Sequence, residues 1–155
     1  MNTFQTLVAA LAALSLGPAA FAGPSVNDMQ GCQALIDFMD AKLAAAPDKY
    51  DGGDIETARE GLKVYNAFIQ NDIVTPGLLE SNGDDAAKAK AMQTQANDYK
   101  NTVIAGYKKK YTDDKLYTDW TMSLNGCANK ARPQGDDLIA LKAGFDALLR
   151  LNLTK

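Results

Sequence analysis

Carboxylates are the most numerous groups in this chain that could do chemistry, and they come in clusters. Asp48, Asp51, Asp54 and Glu56 share one short stretch, and the pairs Asp84-Asp85, Asp113-Asp114 and Asp136-Asp137 follow. A hard cation such as Ca²⁺ takes six to eight oxygens, and an EF-hand loop supplies them as D-x-[DN]-x-[DN]-G with a distal Glu. The stretch from Asp48 to Glu56 fails that pattern, because Tyr50 and Gly52 stand where ligand side chains belong. Asp at the start of a helix has a simpler role: it accepts from orphan backbone N–H groups and sits at the positive end of the helix dipole. The clusters are therefore read as helix starts, and no metal ligands are assigned.

Catalytic pairs fare no better. Asp37 with Asp40 and Glu56 with Glu60 are neighbours on one helix surface, whereas glycoside hydrolysis needs two carboxyls facing across a cleft. No serine lies in a G-x-S-x-G or S-x-x-K context. Histidine is absent altogether. That removes Ser-His and Cys-His nucleophile pairs, histidine-ligated zinc or di-iron bundles and c-type haem attachment. No catalytic residue and no cofactor is assigned, and the chain reads as non-enzymatic.

Two cysteines, Cys32 and Cys127, remain to be explained. Neither belongs to a C-x-x-C pair, which argues against a redox role. An even count in an exported chain predicts one intramolecular bridge. Export is expected because Leu7 to Leu16 form a short apolar run that ends at Gly17-Pro18 and leads to Ala20-Phe21-Ala22, a small-residue cleavage site. The run is too short to span a bilayer. Against the pattern, no Lys or Arg precedes Lys42. The expected organisation is a signal peptide over 1–22 and a single domain over 23–155, periplasmic or extracellular, with no stable membrane anchor after cleavage. A net charge of −3 and a pI near 4.9 give no reason to expect nucleic acid as a partner. The basic run Tyr107-Lys108-Lys109-Lys110-Tyr111 is read as a helix C-terminus, where cations complement the dipole.

Apolar residues at three- and four-residue steps predict the elements that hold these groups in place. A first helix over about 27–46 carries Met29, Cys32, Ile36, Met39 and Leu43 on one stripe, opened by Ser25 with Asp28 and closed by Pro47. A second begins at Asp54 with Ile55, Ala58, Leu62, Tyr65 and Ile69 inward, and ends near Asn71 or Asp72. The third and longest starts at Asp84-Asp85, with Ala89, Met92, Ala96, Tyr99, Val103 and Tyr107 on its stripe. A fourth opens at Asp113-Asp114 with Leu116, Trp120, Leu124 and Cys127 inward. The last opens at Asp136-Asp137 with Leu138, Leu141, Phe145, Leu148 and Leu149 as core. The expected fold is all-α: a bundle of four to five amphipathic helices tied by one disulfide.

One segment resists this scheme. Ile73-Val74-Thr75-Pro76-Gly77-Leu78-Leu79 falls between the second and third helices and is far more apolar than a surface connection requires. It either plugs an end of the bundle or presents an apolar patch to a partner. The candidate binding site is placed there and on the helix end before it, at Tyr65, Phe68, Ile69, Ile73, Pro76, Leu78 and Leu79. The leading functional expectation is an exported protein that acts by binding a protein partner, as an inhibitor, immunity-type or accessory factor. The alternative is a small-molecule binder with an aromatic pocket between helices, lined by Trp120, Tyr117, Tyr65 and Tyr99 with polar groups from Gln70, Gln95 or Asn66.

Overall fold

The computed structural model describes residues 23–154, so the expected signal peptide lies outside the described residues. Among them the chain is all-α, with no strand. Helix α1 spans Val26–Ala44 and α2 spans Gly52–Phe68; a π-helical segment, Ile69–Val74, leads without a break into α3, Thr75–Ser81. Then come α4, Ala86–Lys110, α5, Thr118–Lys130, and α6, Gly135–Leu153. Since α2, the π segment and α3 are one rod, the bundle has five helices.

Helix α1 is the centre of the molecule. Ten of its nineteen residues are buried, on almost every face. A helix buried on this much of its circumference must be covered by several neighbours, with Asp37 and Asp40 left on its one polar, partly open flank. Helices α1, α2, α6 and α5 pack in a ring, each against the next, while α4 lies outside the ring against the outer face of α1. The disulfide Cys32–Cys127 ties the α1–α5 edge, with Cα atoms 5.8 Å apart. Opposite it, α2 meets α6 at Gly61 and Gly144, whose backbones touch because neither carries a Cβ. Arg150 adds a bidentate bond to Asp54 at the start of α2, Nη2 to Oδ1 at 2.7 Å and Nε to Oδ2 at 3.2 Å.

Helix starts follow the capping logic in part. Ser25 Oγ accepts from Asp28 N–H at 3.1 Å and donates to the Asp28 carboxylate at 2.7 Å. Asp51, not Asp54, caps α2, and so Gly52-Gly53 form its first turn instead of a preceding loop. Asp85 caps α4, accepting from the N–H groups of Ala87 and Lys88. Neither α5 nor α6 has a side-chain cap: the fourth helix starts at Thr118, well past Asp113-Asp114, and Asp136-Asp137 lie inside the first turn of α6. Asp113 instead accepts from the Tyr117 hydroxyl at 2.7 Å, which holds its carboxyl below the usual carboxylate range.

The largest correction concerns the expected break after Asp72. Pro76 has no N–H to give, and its ring crowds the carbonyl four residues back in an α-helix. The π turn shifts the bonding by one residue, as Thr75 N–H bonding to Gln70 O shows, and the rod passes through the proline with a widened turn. It stops at Asn82, where Gly83 and Asp84 both take positive φ and Asp84 N–H returns to Leu79 O at 2.9 Å. A second correction concerns α4. Of its expected core stripe only Ala89 is buried, and Met92 and Tyr99 are exposed. Leu149 on α6, also expected in the core, is exposed as well.

A Cβ added at Gly61 would lie 2.8 Å from both the Ala140 carbonyl oxygen and the Gly144 Cα, backbone atoms that cannot swing away. Gly61→Ala is expected to lower stability by about 1–3 kcal/mol or more. Gly126→Ala, in a helix with open space around the new methyl, should raise it by about 0.5–1 kcal/mol. Urea unfolding of the two variants checks the contrast.

Candidate functional site

The seven residues of the expected binding patch are divided by burial. Tyr65, Ile69 and Leu78 are buried, Phe68, Ile73 and Leu79 are half-buried, and Pro76 is exposed. Because the segment is helical, its apolar side chains turn inward at helical spacing. Tyr65 stacks on Phe68 with ring centroids 6.1 Å apart, and its hydroxyl donates to Ala131 O at 2.9 Å, joining α2 to the end of α5. Burial pushes the Tyr65 phenol up to about 12. Two shallow clefts border this segment, one of about 280 Å³ between Leu78, Leu79, Ala89 and Gln93 and one of about 380 Å³ between Leu78, Val26, Met92 and Tyr99.

The aromatic pocket of the alternative reading is not assembled. Trp120 and Tyr117 belong to a closed cluster with Phe38, Tyr107 and Tyr111, ring centroids 5.0–5.9 Å apart for the contacting pairs. Tyr65 is in the core, and Tyr99 is exposed on α4 beside Gln95. Of the polar groups proposed to converge, Asn66 and Gln70 do meet, in a groove without those aromatics. Gln33 donates to Asn66 O and Gln70 Oε1, Asn66 donates to Asp37 at 2.7 Å, and Lys100 pairs with Asp37 at 2.9 Å. This groove, about 800 Å³, runs between α1, α2 and α4.

A second groove, about 620 Å³, lies between α5 and α6 and has the opposite character. Leu138, Phe145 and Leu149 on α6 and Met122 on α5 line it, with Asn125, Asn129, Arg132, Lys142 and Asp146 at its rim. Met122 is 70% exposed, Leu149 49%, and on the outer stripe of α6 Ile139 is 67% and Leu153 81% exposed. The glycine contact draws α6 onto α2, whereas between α5 and α6 longer side chains intervene. One polar bond, Asn152 Nδ2 to Thr121 Oγ1 at 3.1 Å, pins the far end. The sequence did contain a signal for this groove. Helix α6 carries Leu138, Ile139, Leu141, Phe145, Leu148, Leu149, Leu151 and Leu153, more apolar positions than one buried stripe accommodates. Reading Leu138, Phe145 and Leu149 as core concealed it.

Among the described residues no group of three or more His, Cys, Asp or Glu is placed to hold a metal ion. No described helix is long and apolar enough to cross a membrane.

Tyr65→Phe leaves the Ala131 carbonyl without its donor and should cost about 1–2 kcal/mol. With a folded-state pKa near 12 against 10.0 for the free phenol, Tyr65 contributes stability that is fully present below about pH 10 and lost as pH rises toward 12. Alkaline titration by ultraviolet absorbance, in wild type and variant, reads that difference. Leu78→Ser should destabilise the fold by about 2–4 kcal/mol, because Leu78 packs in the core. Pro76→Ser should change stability far less; chemical unfolding of both separates a plug from a surface patch.

No family model matches this chain, and comparison with curated proteins and with solved structures found no match.

Proposed function

We propose that this is an exported, non-enzymatic binding protein that holds a protein partner in the cell envelope or outside the cell, with the α5–α6 groove as its docking face. The observation that carries this reading is the exposure of Met122 and Leu149, which line the groove together with half-buried Leu138 and Phe145. Contiguous exposed apolar surface of this kind marks interaction sites in soluble proteins.

The shape suits a helix. Helix α5 has thirteen residues, about 20 Å. An amphipathic helix of three or four turns laid along it would place its apolar stripe against Met122, Phe145 and Leu149. Arg132 and Lys142 stand at the rim, and neither takes part in an ion pair among the described residues. They favour a partner helix with acidic residues flanking its apolar stripe. A disulfide-tied bundle, with no described helix able to cross a membrane, is compatible with export. The absence of histidine supports a role without catalysis.

A photo-crosslinking residue placed at Met122, in the protein expressed in its own host, should capture one partner protein. The pair Met122→Asp and Leu149→Asp should abolish that capture with little change in the melt, since both side chains are exposed. Capture that survives both substitutions would move the docking face elsewhere, and a crosslink to a second copy alone would replace the partner by self-association.

A further inference from the structure

We propose that the polar groove between α1, α2 and α4 binds a linear aliphatic polyamine, a ligand independent of whatever occupies the α5–α6 groove. Its walls carry four carboxylates, Asp37, Asp40, Glu56 and Glu60, and three cations, Arg59, Lys63 and Lys100. Each cation already has a carboxylate: Arg59 with Asp40 at 2.7 Å, Lys100 with Asp37 at 2.9 Å, and Lys63, more loosely, with Glu60 at 3.8 Å. Glu56 has none among the described residues, and Glu60 is half-free.

The second observation lies in the floor. Gln33 lines the groove and is only 3% exposed, and its Oε1 is buried without a donor; Asn66, beside it, likewise has a buried Oδ1 without one. Their orientations follow from their partners. Gln33 Nε2 faces the Asn66 carbonyl and Gln70 Oε1, and Asn66 Nδ2 faces the Asp37 carboxylate, which is an acceptor only. Both unmatched atoms are therefore acceptors, and the groups that match them are donors, N–H or O–H. Other buried polar atoms also lack partners, both of Gln30, Trp120 Nε1 and Asn152 Oδ1, but Gln33 Oε1 and Asn66 Oδ1 are the pair that lies under this groove, adjacent and both acceptors. A swing of the Asn66 amide away from Asp37 would open the floor to the ligand.

Size and spacing select the ligand class. The lining residues of the rod run from Gly52 to Gln70, roughly 27 Å of helix. Glu56 and Glu60 stand one turn apart, about 5–6 Å between their Cβ atoms. Three or four methylenes put a similar distance between ammonium groups. Ile36, Ile55 and Ala67 supply apolar wall for those methylenes. With no three-residue metal ligand set among the described residues, an organic cation is the better match.

Spermidine titrated into the full mature protein, followed by calorimetry and by the NMR signals of the side-chain amides, tests this. Saturable binding tighter than about 1 mM is expected, with the Gln33 and Asn66 amide signals shifting and the affinity falling as salt rises. Glu56→Gln with Glu60→Gln should weaken binding about tenfold or more. Asp136→Asn with Asp137→Asn, the same change in net charge at residues outside the groove, should leave it unaltered. Fully acetylated spermidine, without ammonium charge, should not bind. Absent saturation, or an equal loss in the two double variants, would overturn the proposal in favour of generic attraction to an acidic protein. So would unchanged Gln33 and Asn66 signals. A crosslinking result at Met122 has no bearing on these outcomes.

Discussion

The arrangement of this bundle depends on one helix that must be hidden over most of its circumference, all but the flank that carries Asp37 and Asp40. Helix α1 presents Met29, Ile36 and Met39 in one direction and Ala34, Leu35 and Phe38 in others, all buried. A ring of four helices covers only the inward part of such a surface. The outer part falls to α4, which explains how a 25-residue helix with a single buried residue belongs to the fold at all. It covers α1 with Tyr107 stacked on Phe38 at 5.2 Å and with the Lys100–Asp37 pair, while its own far side stays wet. The disulfide reinforces the arrangement where α1 meets α5. Closing a loop of 95 residues, it restricts the unfolded chain by about 4–5 kcal/mol in the loop-entropy account.

The two grooves are consequences of how that ring closes. At Gly61 and Gly144 the backbones of α2 and α6 approach until an added Cβ would collide, so α6 is committed to α2. Its opposite flank, still apolar, faces the gap toward α5. On the other side of the molecule the space between α1, α2 and α4 is bridged by long polar side chains: a chain of amides from Gln33 through Gln70 and Gln93 to Asn97, and ion pairs on Asp37 and Asp40. Such a network is rigid where complete. Where it is incomplete, at Gln33 Oε1 and Asn66 Oδ1, buried acceptors lack partners, and an unmatched buried polar atom costs about 1–3 kcal/mol. One protein thus carries an apolar channel and a polar one, set by different pairs of helices.

Periodicity, cysteine count and capping chemistry are local properties, and they determined the helical class, the Cys32–Cys127 pair and the starts of α1 and α4. Local reading failed where two local rules conflicted or where a neighbour was needed. Thr75-Pro76-Gly77 are breakers by local propensity, and only the packing of Ile69, Val74 and Leu78 against the core favours a π turn over a loop. Tyr65 and Ile69, expected on the inward stripe of the second helix, are in the core; Leu78, expected only in the binding patch, is drawn in beside them by that same continuity. Met92, Tyr99 and Leu149 lie on sound helical stripes, yet a stripe says that a face is apolar and not that another helix reaches it. Which stripe is covered depends on distances between helices far apart in the chain, here decided by two glycines that meet across 83 positions of sequence, from Gly61 to Gly144. The sequence by itself determined which faces could be buried; the tertiary structure decided which were, because burial needs a partner surface and no residue carries the address of its partner.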